Sequence, residues 1–150
     1  MPLRPRIVAV DAGAKRVGLA TSDPFGMFAQ PLGTYHPAEA IRRLRAYHDA
    51  EGIATLVVGW PLEFDGSEGA AVDRVRPYLK RLRKALPGLR VVLQDERDSS
   101  KRARAALVAS GVPRGKRRKA GGRVDAAAAC VILEDYLEEH PGGAPPADER

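Results

Sequence analysis

The sequence predicts an α/β fold built on one five-stranded mixed sheet, with helices on both faces of that sheet. Short apolar runs rich in valine and isoleucine recur along the chain. The first three are separated by only a few residues, as antiparallel neighbours are, and the later ones alternate with helical patterns, as in βαβ units. With 150 residues and 44% hydrophobic content, the chain is long enough for one domain with one core.

Three strands are expected to open the chain. The uninterrupted apolar run at residues 7–10 is typical of a strand buried on both faces, and after a turn at 12–16 the residues 17–22 predict a second strand. Residues 29–35 predict the third, beyond the turn residues 23–26. Because both connections are short, these strands are expected to pair antiparallel.

Two βα units and two further helices follow. A helix begins near His36-Pro37 and continues to Gly52, and the uncharged run 53–59 predicts a central parallel strand. The segment 65–67 has turn and cap residues, and it precedes a second helix that ends near residue 87 and a fifth strand at 90–94. Helices at about 100–110 and 124–139 complete the order βββαβαβαα. Residues 1–140 are therefore expected to form a single domain, and the proline-rich residues 141–150 a disordered tail.

Composition argues against several classes of protein. No apolar run reaches 18 residues, and the first residues lack the apolar core of a signal peptide, so a cytoplasmic protein without a membrane partner is expected. The only cysteine, Cys130, rules out an internal disulfide and a cysteine-based zinc cluster. Its alanine-rich surroundings predict a small buried side chain.

Positive charge is concentrated in one segment. The chain has a net charge of +6, but the stretch 97–123 holds ten bases against one acid, which leaves more acids than bases in the rest of the chain. Such a concentration favours a polyanionic partner, although a solvated surface that aids solubility is the simpler alternative. The ten bases are Arg97, Lys101, Arg102, Arg104, Arg114, Lys116, Arg117, Arg118, Lys119 and Arg123.

Acidic residues fall where strands or helices meet one edge of the predicted sheet. Asp11 ends the first strand, Asp95 and Glu96 end the fifth, and Asp125 opens the last helix. Open α/β folds bind ligands at the carboxyl ends of parallel strands. Because side chains alternate along a strand, only one of Asp95 and Glu96 is expected to reach a shared site.

Each acid alone has an ordinary explanation, since Asp11 is also typical of a turn and Asp125 of a helix cap. Together they favour a metal site. Two carboxylates about 4 Å apart repel by roughly 4 kcal/mol at an effective dielectric near 20, so converging acids need protons or a cation. Oxygen ligands favour Mg²⁺ or Mn²⁺, and a pair of such ions beside a basic segment suggests phosphodiester hydrolysis.

Six short motifs, in order between residues 7 and 137, resemble those of the YqgF/RuvX family. They are Asp11-x-Gly13-x-Lys15-Arg16-Val17-Gly18-x-Ala20, Ser22-Asp23-Pro24, Val58-Gly59-Trp60-Pro61-Leu62, Asp65-Gly66-x-Glu68-Gly69, Asp95-Glu96-Arg97 and Val124-Asp125-x-x-Ala128-Ala129. The resemblance implies an RNase H-like fold of the Holliday-junction-resolvase type in a bacterial cytoplasmic nuclease. It further implies a role in 5′-end maturation of pre-16S ribosomal RNA and, by similarity to junction resolvases, in DNA recombination.

The resemblance also implies roles for single residues. Asp11, one acid of the Asp95-Glu96 pair, with Glu96 favoured, and Asp125 would be the metal-binding catalytic acids, and Lys15, Arg16 and Arg97 would lie beside the scissile phosphate. This chain departs from the family pattern at two places. The family commonly has an aromatic residue at the position of Ala12, and the segment 98–100 of this chain adds an acid. Neither departure removes a proposed ligand.

Two rival functions fit parts of the sequence. A non-catalytic nucleic-acid-binding module would use the basic segment alone, with the acids as caps and turn residues. A nucleotide-binding phosphotransferase would use the Asp-x-Gly turn, but one small domain lacks a second lobe to close over the nucleotide. A junction resolvase would need two active sites and hence a homodimer, whereas a monomer suffices for trimming RNA. The choice between RNA and DNA is not encoded in any single residue.

Overall fold

A computed structural model describes residues 5–97 and 126–141 of the chain. Within these ranges the predicted strands and helices are present in the predicted order. They are β1 (Arg6–Ala12), β2 (Val17–Ser22), β3 (Ala29–Tyr35), α1 (Pro37–Glu51), β4 (Ile53–Trp60), α2 (Ala70–Ala85), β5 (Arg90–Asp95) and α3 (Ala127–Glu139). The predicted helix at 100–110, most of the basic segment, Asp125 and all but the first residue of the predicted tail lie outside the described residues.

The five strands form one mixed sheet in the order β3-β2-β1-β4-β5. β2 pairs antiparallel with both β1 and β3, whereas β4 pairs parallel with both β1 and β5. The α/β prediction of a five-stranded mixed sheet is therefore confirmed, including the antiparallel group at the start. Because β1, β4 and β5 run in one direction, their carboxyl ends meet at the same edge, which we call the carboxyl edge.

The three inner strands, β1, β2 and β4, bury both of their faces because helices cover both sides of the sheet. On one face α1 and α2 pack over alternate residues such as Val8, Val10 and Val58. On the other face α3 packs over the residues between them, such as Ala9 and Val57. This arrangement explains why β1 and β4 are apolar without alternation. None of the helices in the described ranges is long and apolar enough to span a membrane.

α3 is almost entirely apolar on the side that meets the sheet. The expected burial of Cys130 is confirmed, since its side chain is only 3% exposed among the core residues of this helix. Gly59 of β4 lies beneath the helix, where a Cβ atom would come within 2.5 Å of the Ile132 Cδ1 atom. The absence of a side chain at this position therefore lets α3 approach the sheet closely.

Replacing Gly59 with alanine is expected to destabilise the fold by about 1–3 kcal/mol, because the added methyl group overpacks a fully buried contact with Ile132. Urea denaturation of wild type and variant measures this change. The matched control is Ile132→Val, which removes the clashing methyl group. The double variant should be less destabilised than the sum of the two single variants, and strict additivity would refute the contact.

The loop between β4 and α2 differs from the prediction in one respect. The turn is confirmed, because Asp65 Oδ1 accepts hydrogen bonds from the Ser67 backbone N–H (2.9 Å) and hydroxyl (2.6 Å). These hydrogen bonds hold the pKa of Asp65 below its ordinary value. The segment does not cap the helix, however, since α2 has Gly69 at its N-cap position and no side-chain capping bond. Instead, the hydrogen bonds between Asp65 and Ser67 close a turn that ends two residues before Gly69.

Candidate functional site

Asp11 and Glu96 lie at the carboxyl edge, on strands that are separated by β4. Neighbouring strands are about 4.8 Å apart, so the backbones of β1 and β5 are about 10 Å apart at this edge. Asp11 lies within β1, paired with Gly18 of β2, rather than in the turn that follows. Its side chain is half-buried, whereas the side chain of Glu96 is only 5% exposed. The structure therefore keeps one carboxylate partly open to solvent and encloses the other.

The alternation of the strands places Asp11 and Glu96 on the same face of the sheet. Asp11 continues the series that includes Ala9, which packs against α3. Glu96 continues the series that includes Gln94, whose side-chain amide donates to the carboxylate of Glu139 in α3. The Glu96 backbone N–H also donates to the Trp60 carbonyl oxygen at 3.0 Å, which extends the strand pairing one residue beyond β5. Both acids thus belong to the α3 face.

Asp95 belongs to the other face and has a different partner. It pairs with Trp60 in the β4–β5 ladder and is exposed. Its carboxylate forms an ion pair with Arg97, with Nε at 3.1 Å from Oδ2 and 3.3 Å from Oδ1. The strand register therefore separates the two neighbouring acids, and Glu96 is the one that shares a face with Asp11.

Arg97 is held against the loop that joins β4 to α2. Besides the ion pair with Asp95, its Nη1 donates to the Phe64 carbonyl oxygen at 3.3 Å. Gly66, which has a φ of +88°, leaves room for the guanidinium, since a Cβ atom there would lie 3.1 Å from Arg97 Nη2. Arg97 lies at the carboxyl edge, and its contacts in the structure are to protein groups that brace this loop.

Lys15 and Arg16 lie in the tight turn that joins β1 to β2 at the same edge. The Gly13 backbone N–H donates to the Arg16 carbonyl oxygen at 2.9 Å and closes the turn. A Cβ atom on Gly13 would come within 2.8 Å of that oxygen, so the turn requires glycine there. Both basic side chains are exposed. They place positive charge within a few residues of Asp11.

The third predicted acid and most predicted nucleic-acid contacts lie outside the described residues. α3 has Ala126 at its N-cap position, one residue after Asp125, and this alanine is fully buried. Within residues 5–97 and 126–141, no group of three or more acids, histidines or cysteines is arranged to hold a metal ion. Two carboxylates on one face nevertheless offer the oxygen donors that Mg²⁺ and Mn²⁺ take, and these donors fit such an ion. Also outside the described residues are Lys101, Arg102, Arg114, Lys116, Arg117, Arg118, Lys119 and Arg123.

Sequence reasoning missed a second basic surface, on α2. This helix carries six bases and one acid in 16 residues, and all six bases are exposed. The net charge of all residues outside 97–123 is negative, and this total hid the basic surface because acids elsewhere offset its bases. The net charge of each predicted helix, taken separately, would have found it. The bases are Arg74, Arg76, Lys80, Arg81, Arg83 and Lys84.

Comparison with known proteins gives consistent matches over nearly the whole chain. The family model described as "RuvX: Holliday junction resolvase" matches residues 5–139. A Salinibacter ruber protein named "Putative pre-16S rRNA nuclease" is 48% identical and covers 88% of this chain and 92% of its own length. A protein of the same name from Geobacillus thermodenitrificans is 41% identical and covers 89% of this chain and 97% of its own length.

The fold is the five-stranded mixed sheet with helices on both faces that the sequence predicted. Among solved structures, RuvC of Thermus thermophilus in complex with a Holliday junction substrate matches with a TM-score of 0.45 and 16% identity. That match covers 90% of this chain and 96% of the RuvC chain.

Proposed function

Since this chain belongs to the RuvX family, which is described as a family of Holliday junction resolvases, we propose that it is a divalent-metal-dependent nuclease acting on structured nucleic acid. The observation that carries the proposal is the placement of Asp11 and Glu96 on one face at the carboxyl edge. The exposed bases Lys15 and Arg16 lie in the adjoining turn. Negative groups suited to a cation thus lie beside positive groups suited to phosphates.

Asp11, Glu96 and Asp125 would hold Mg²⁺ or Mn²⁺. When bound, two such ions lower the pKa of a water molecule and stabilise the charge that develops on the leaving oxygen of a phosphodiester. The burial of Glu96 keeps its carboxylate in one position, and the partial exposure of Asp11 leaves the edge open to substrate. Asp95 is already paired with Arg97 on the other face, so we give it no ligand role.

The reaction would be hydrolysis. A water oxygen attacks the scissile phosphorus and loses a proton, the bond from phosphorus to the 3′ oxygen breaks, and that oxygen takes up a proton. The products are a 5′-phosphate and a 3′-hydroxyl. Lys15 and Arg16 would hold the phosphates next to the cleaved bond, while Arg97 would orient the loop after β4 through its contacts with Asp95 and Phe64.

One candidate substrate is the 5′ region of pre-16S rRNA, because the relatives are named as nucleases of pre-16S rRNA. The other is a four-way DNA junction, because the family is described as Holliday junction resolvases. We propose that the chain acts on either substrate in the cytoplasm. Cleavage of a junction would require two active sites in a homodimer, whereas RNA trimming would not.

One assay tests this function. The purified chain is incubated with Mg²⁺ or Mn²⁺ and, in parallel, a four-way DNA junction, single-stranded RNA and a precursor 5′ segment of 16S rRNA. We expect metal-dependent cleavage of the precursor or the junction, with 5′-phosphate ends. If a clean preparation cleaves none of the three, the proposal is wrong.

The basic segment favours a second candidate, a non-catalytic nucleic-acid-binding module. Replacing Lys116, Arg117, Arg118 and Lys119 with alanine is expected to weaken binding because phosphate contacts are lost. The slope of log affinity against log salt should fall by about 0.7–0.9 for each lost contact. Fluorescence anisotropy at several salt concentrations measures the slope. An unchanged slope would mean that these bases touch no phosphate. Only metal-dependent cleavage separates this candidate from the nuclease.

A further inference from the structure

A pocket opens at the carboxyl edge on the face opposite Asp11 and Glu96. It lies between the β1–β2 turn and α2, has a volume of about 340 Å³ and is lined by small or apolar residues together with two arginines. This volume is within the range of small-molecule sites, about 300–1,000 Å³. We call it the turn–helix pocket, and its lining includes Ala12, Gly13, Pro37, Arg74, Tyr78 and Arg81.

Its charged groups are both positive. Arg74 and Arg81 are seven residues apart in α2, two helical turns along the same side of the helix, and both are exposed. The Arg81 guanidinium lies over the Tyr78 ring, 5.4 Å from its centre. Within the described part of the chain, Arg74 has no hydrogen bond or ion pair. Two cations without an acid in the lining favour an anionic ligand, and arginine suits phosphate in particular.

The rest of the pocket is apolar and firmly held. Tyr78 is buried, and its hydroxyl donates to the Pro37 carbonyl oxygen at 2.7 Å. This burial raises the pKa of Tyr78 to about 12, so the hydroxyl stays protonated and uncharged. Ala12 and Gly13 leave space beside the proline because neither has a side chain larger than a methyl group. Apolar space next to two arginines suits a nucleobase attached to a phosphate.

The position of the pocket relates it to the candidate active site. Ala12 lines it, and Asp11 is the preceding residue of β1, so their side chains point to opposite faces of the same edge. A nucleic-acid strand that crosses the edge would place one phosphate beside Asp11 and a neighbouring nucleotide at the turn–helix pocket. The turn with Lys15 and Arg16 lies along this path.

We propose that the turn–helix pocket binds an unpaired nucleotide of the substrate strand next to the scissile phosphate, with its phosphate on Arg74 and Arg81 and its base beside Ala12. A paired base cannot enter such a pocket without leaving its duplex, so the pocket selects substrates that carry unpaired nucleotides near the cleaved bond. This inference rests on the proposed function and specifies its substrate as branched or single-stranded at the site.

The test measures binding without catalysis, so that it does not depend on cleavage. All variants carry Asp11→Asn, and affinity is measured without metal for a single-stranded oligonucleotide and for a blunt duplex of the same sequence. Ala12→Phe fills the pocket, and Arg74→Ala with Arg81→Ala removes its cations. Arg42→Ala with Arg43→Ala is the matched control, because both of these bases are ion-paired with Glu39 on α1.

We expect Ala12→Phe to weaken single-strand binding about tenfold while leaving duplex binding and the salt slope unchanged. The added ring takes the space of the base, and the stacking of one base is worth roughly tenfold. Removing Arg74 and Arg81 should lower the single-strand salt slope by about 0.7, because both arginines contact the phosphate of one nucleotide. The control variant, Arg42→Ala with Arg43→Ala, should change neither the single-strand affinity nor its salt slope. Thermal unfolding checks that each variant is folded, and the arginine pair tests the pocket independently if Ala12→Phe does not fold.

Three results would overturn the proposal. Unchanged single-strand binding in the arginine pair would mean that no phosphate lies there. Equal losses for single strand and duplex would show a general electrostatic surface without a base pocket. The third result concerns a mononucleotide that binds the Asp11→Asn protein. If Ala12→Phe abolishes this binding but has no effect on oligonucleotide binding, the pocket belongs to a free nucleotide and the proposal is overturned. If the wild-type chain cleaves nothing while these binding results hold, the nuclease proposal fails and the pocket stands.

Discussion

Replacing Asp11 with asparagine is expected to lower the rate of metal-dependent cleavage by about a thousandfold or more. The change removes one carboxylate charge from the ligand set but keeps the size of the side chain and the backbone pairing of β1 with Gly18. A loss of about 4 kcal/mol of transition-state stabilisation corresponds to roughly a thousandfold in rate. Single-turnover cleavage at saturating protein concentration measures the effect on the chemical step.

The same variant should still fold and bind its substrate. Asp11 is half-buried and Lys15 and Arg16 are untouched, so nucleic-acid affinity should stay within a few fold of wild type. A cleavage rate within tenfold of wild type, measured on a preparation free of contaminating nuclease, would remove Asp11 from the ligand set. A fall in affinity equal to the fall in rate would instead make Asp11 a substrate-binding residue.

Replacing Glu96 with glutamine is expected to be as damaging as the change at Asp11, while Asp95→Asn should leave the cleavage rate within a few fold of wild type. The two acids are neighbours in sequence, and both substitutions neutralise one carboxylate, so they form a matched pair. They differ in environment, because Glu96 is enclosed on the α3 face whereas Asp95 is exposed and paired with Arg97. The comparison therefore tests whether the contribution of a carboxylate to cleavage depends on the face of the sheet on which it lies.

Cleavage rates for the two variants, each accompanied by a urea denaturation curve, decide this point. The exposed ion pair of Asp95 contributes at most about 1 kcal/mol, so Asp95→Asn should be folded under assay conditions. The reverse pattern, an inactive Asp95→Asn and an active Glu96→Gln, would place the metal on the α1 and α2 face. Equal losses in both would indicate that the whole segment, including the Arg97 contact with the loop, positions the site.

Local sequence patterns were sufficient to predict the sheet. The run Ile53–Trp60 has no charge because α2 covers one of its faces and α3 the other, and such a run is typical of a central parallel strand. Short connections on both sides of β2 likewise required antiparallel pairing, which the structure has. These features depend on neighbouring residues in the chain, which a sequence displays directly.

The site depends on strand register, which a sequence displays less directly. Alternation predicts that Asp95 and Glu96 face opposite ways, but only the pairing of Trp60 with Asp95 and the hydrogen bond from Glu96 N–H to Trp60 show which acid faces α3. The partners of Arg97 are also unpredictable, because Phe64 lies in a loop 33 residues away. The roles of Asp125 and of the basic segment remain predictions.

The rate of cleavage as a function of Mg²⁺ concentration, for wild type and for Asp11→Asn combined with Glu96→Gln, tests the central claim most directly. The claim is that carboxylates at the carboxyl edge hold the ions that drive hydrolysis. We predict that the wild-type cleavage rate rises with Mg²⁺ concentration and is abolished by a chelator. The double variant should stay at the background rate at every Mg²⁺ concentration. It should be no slower than either single variant, because the two residues act as a unit. Wild-type cleavage that survives the chelator, or a double variant that reaches the wild-type rate at high Mg²⁺, would contradict the claim.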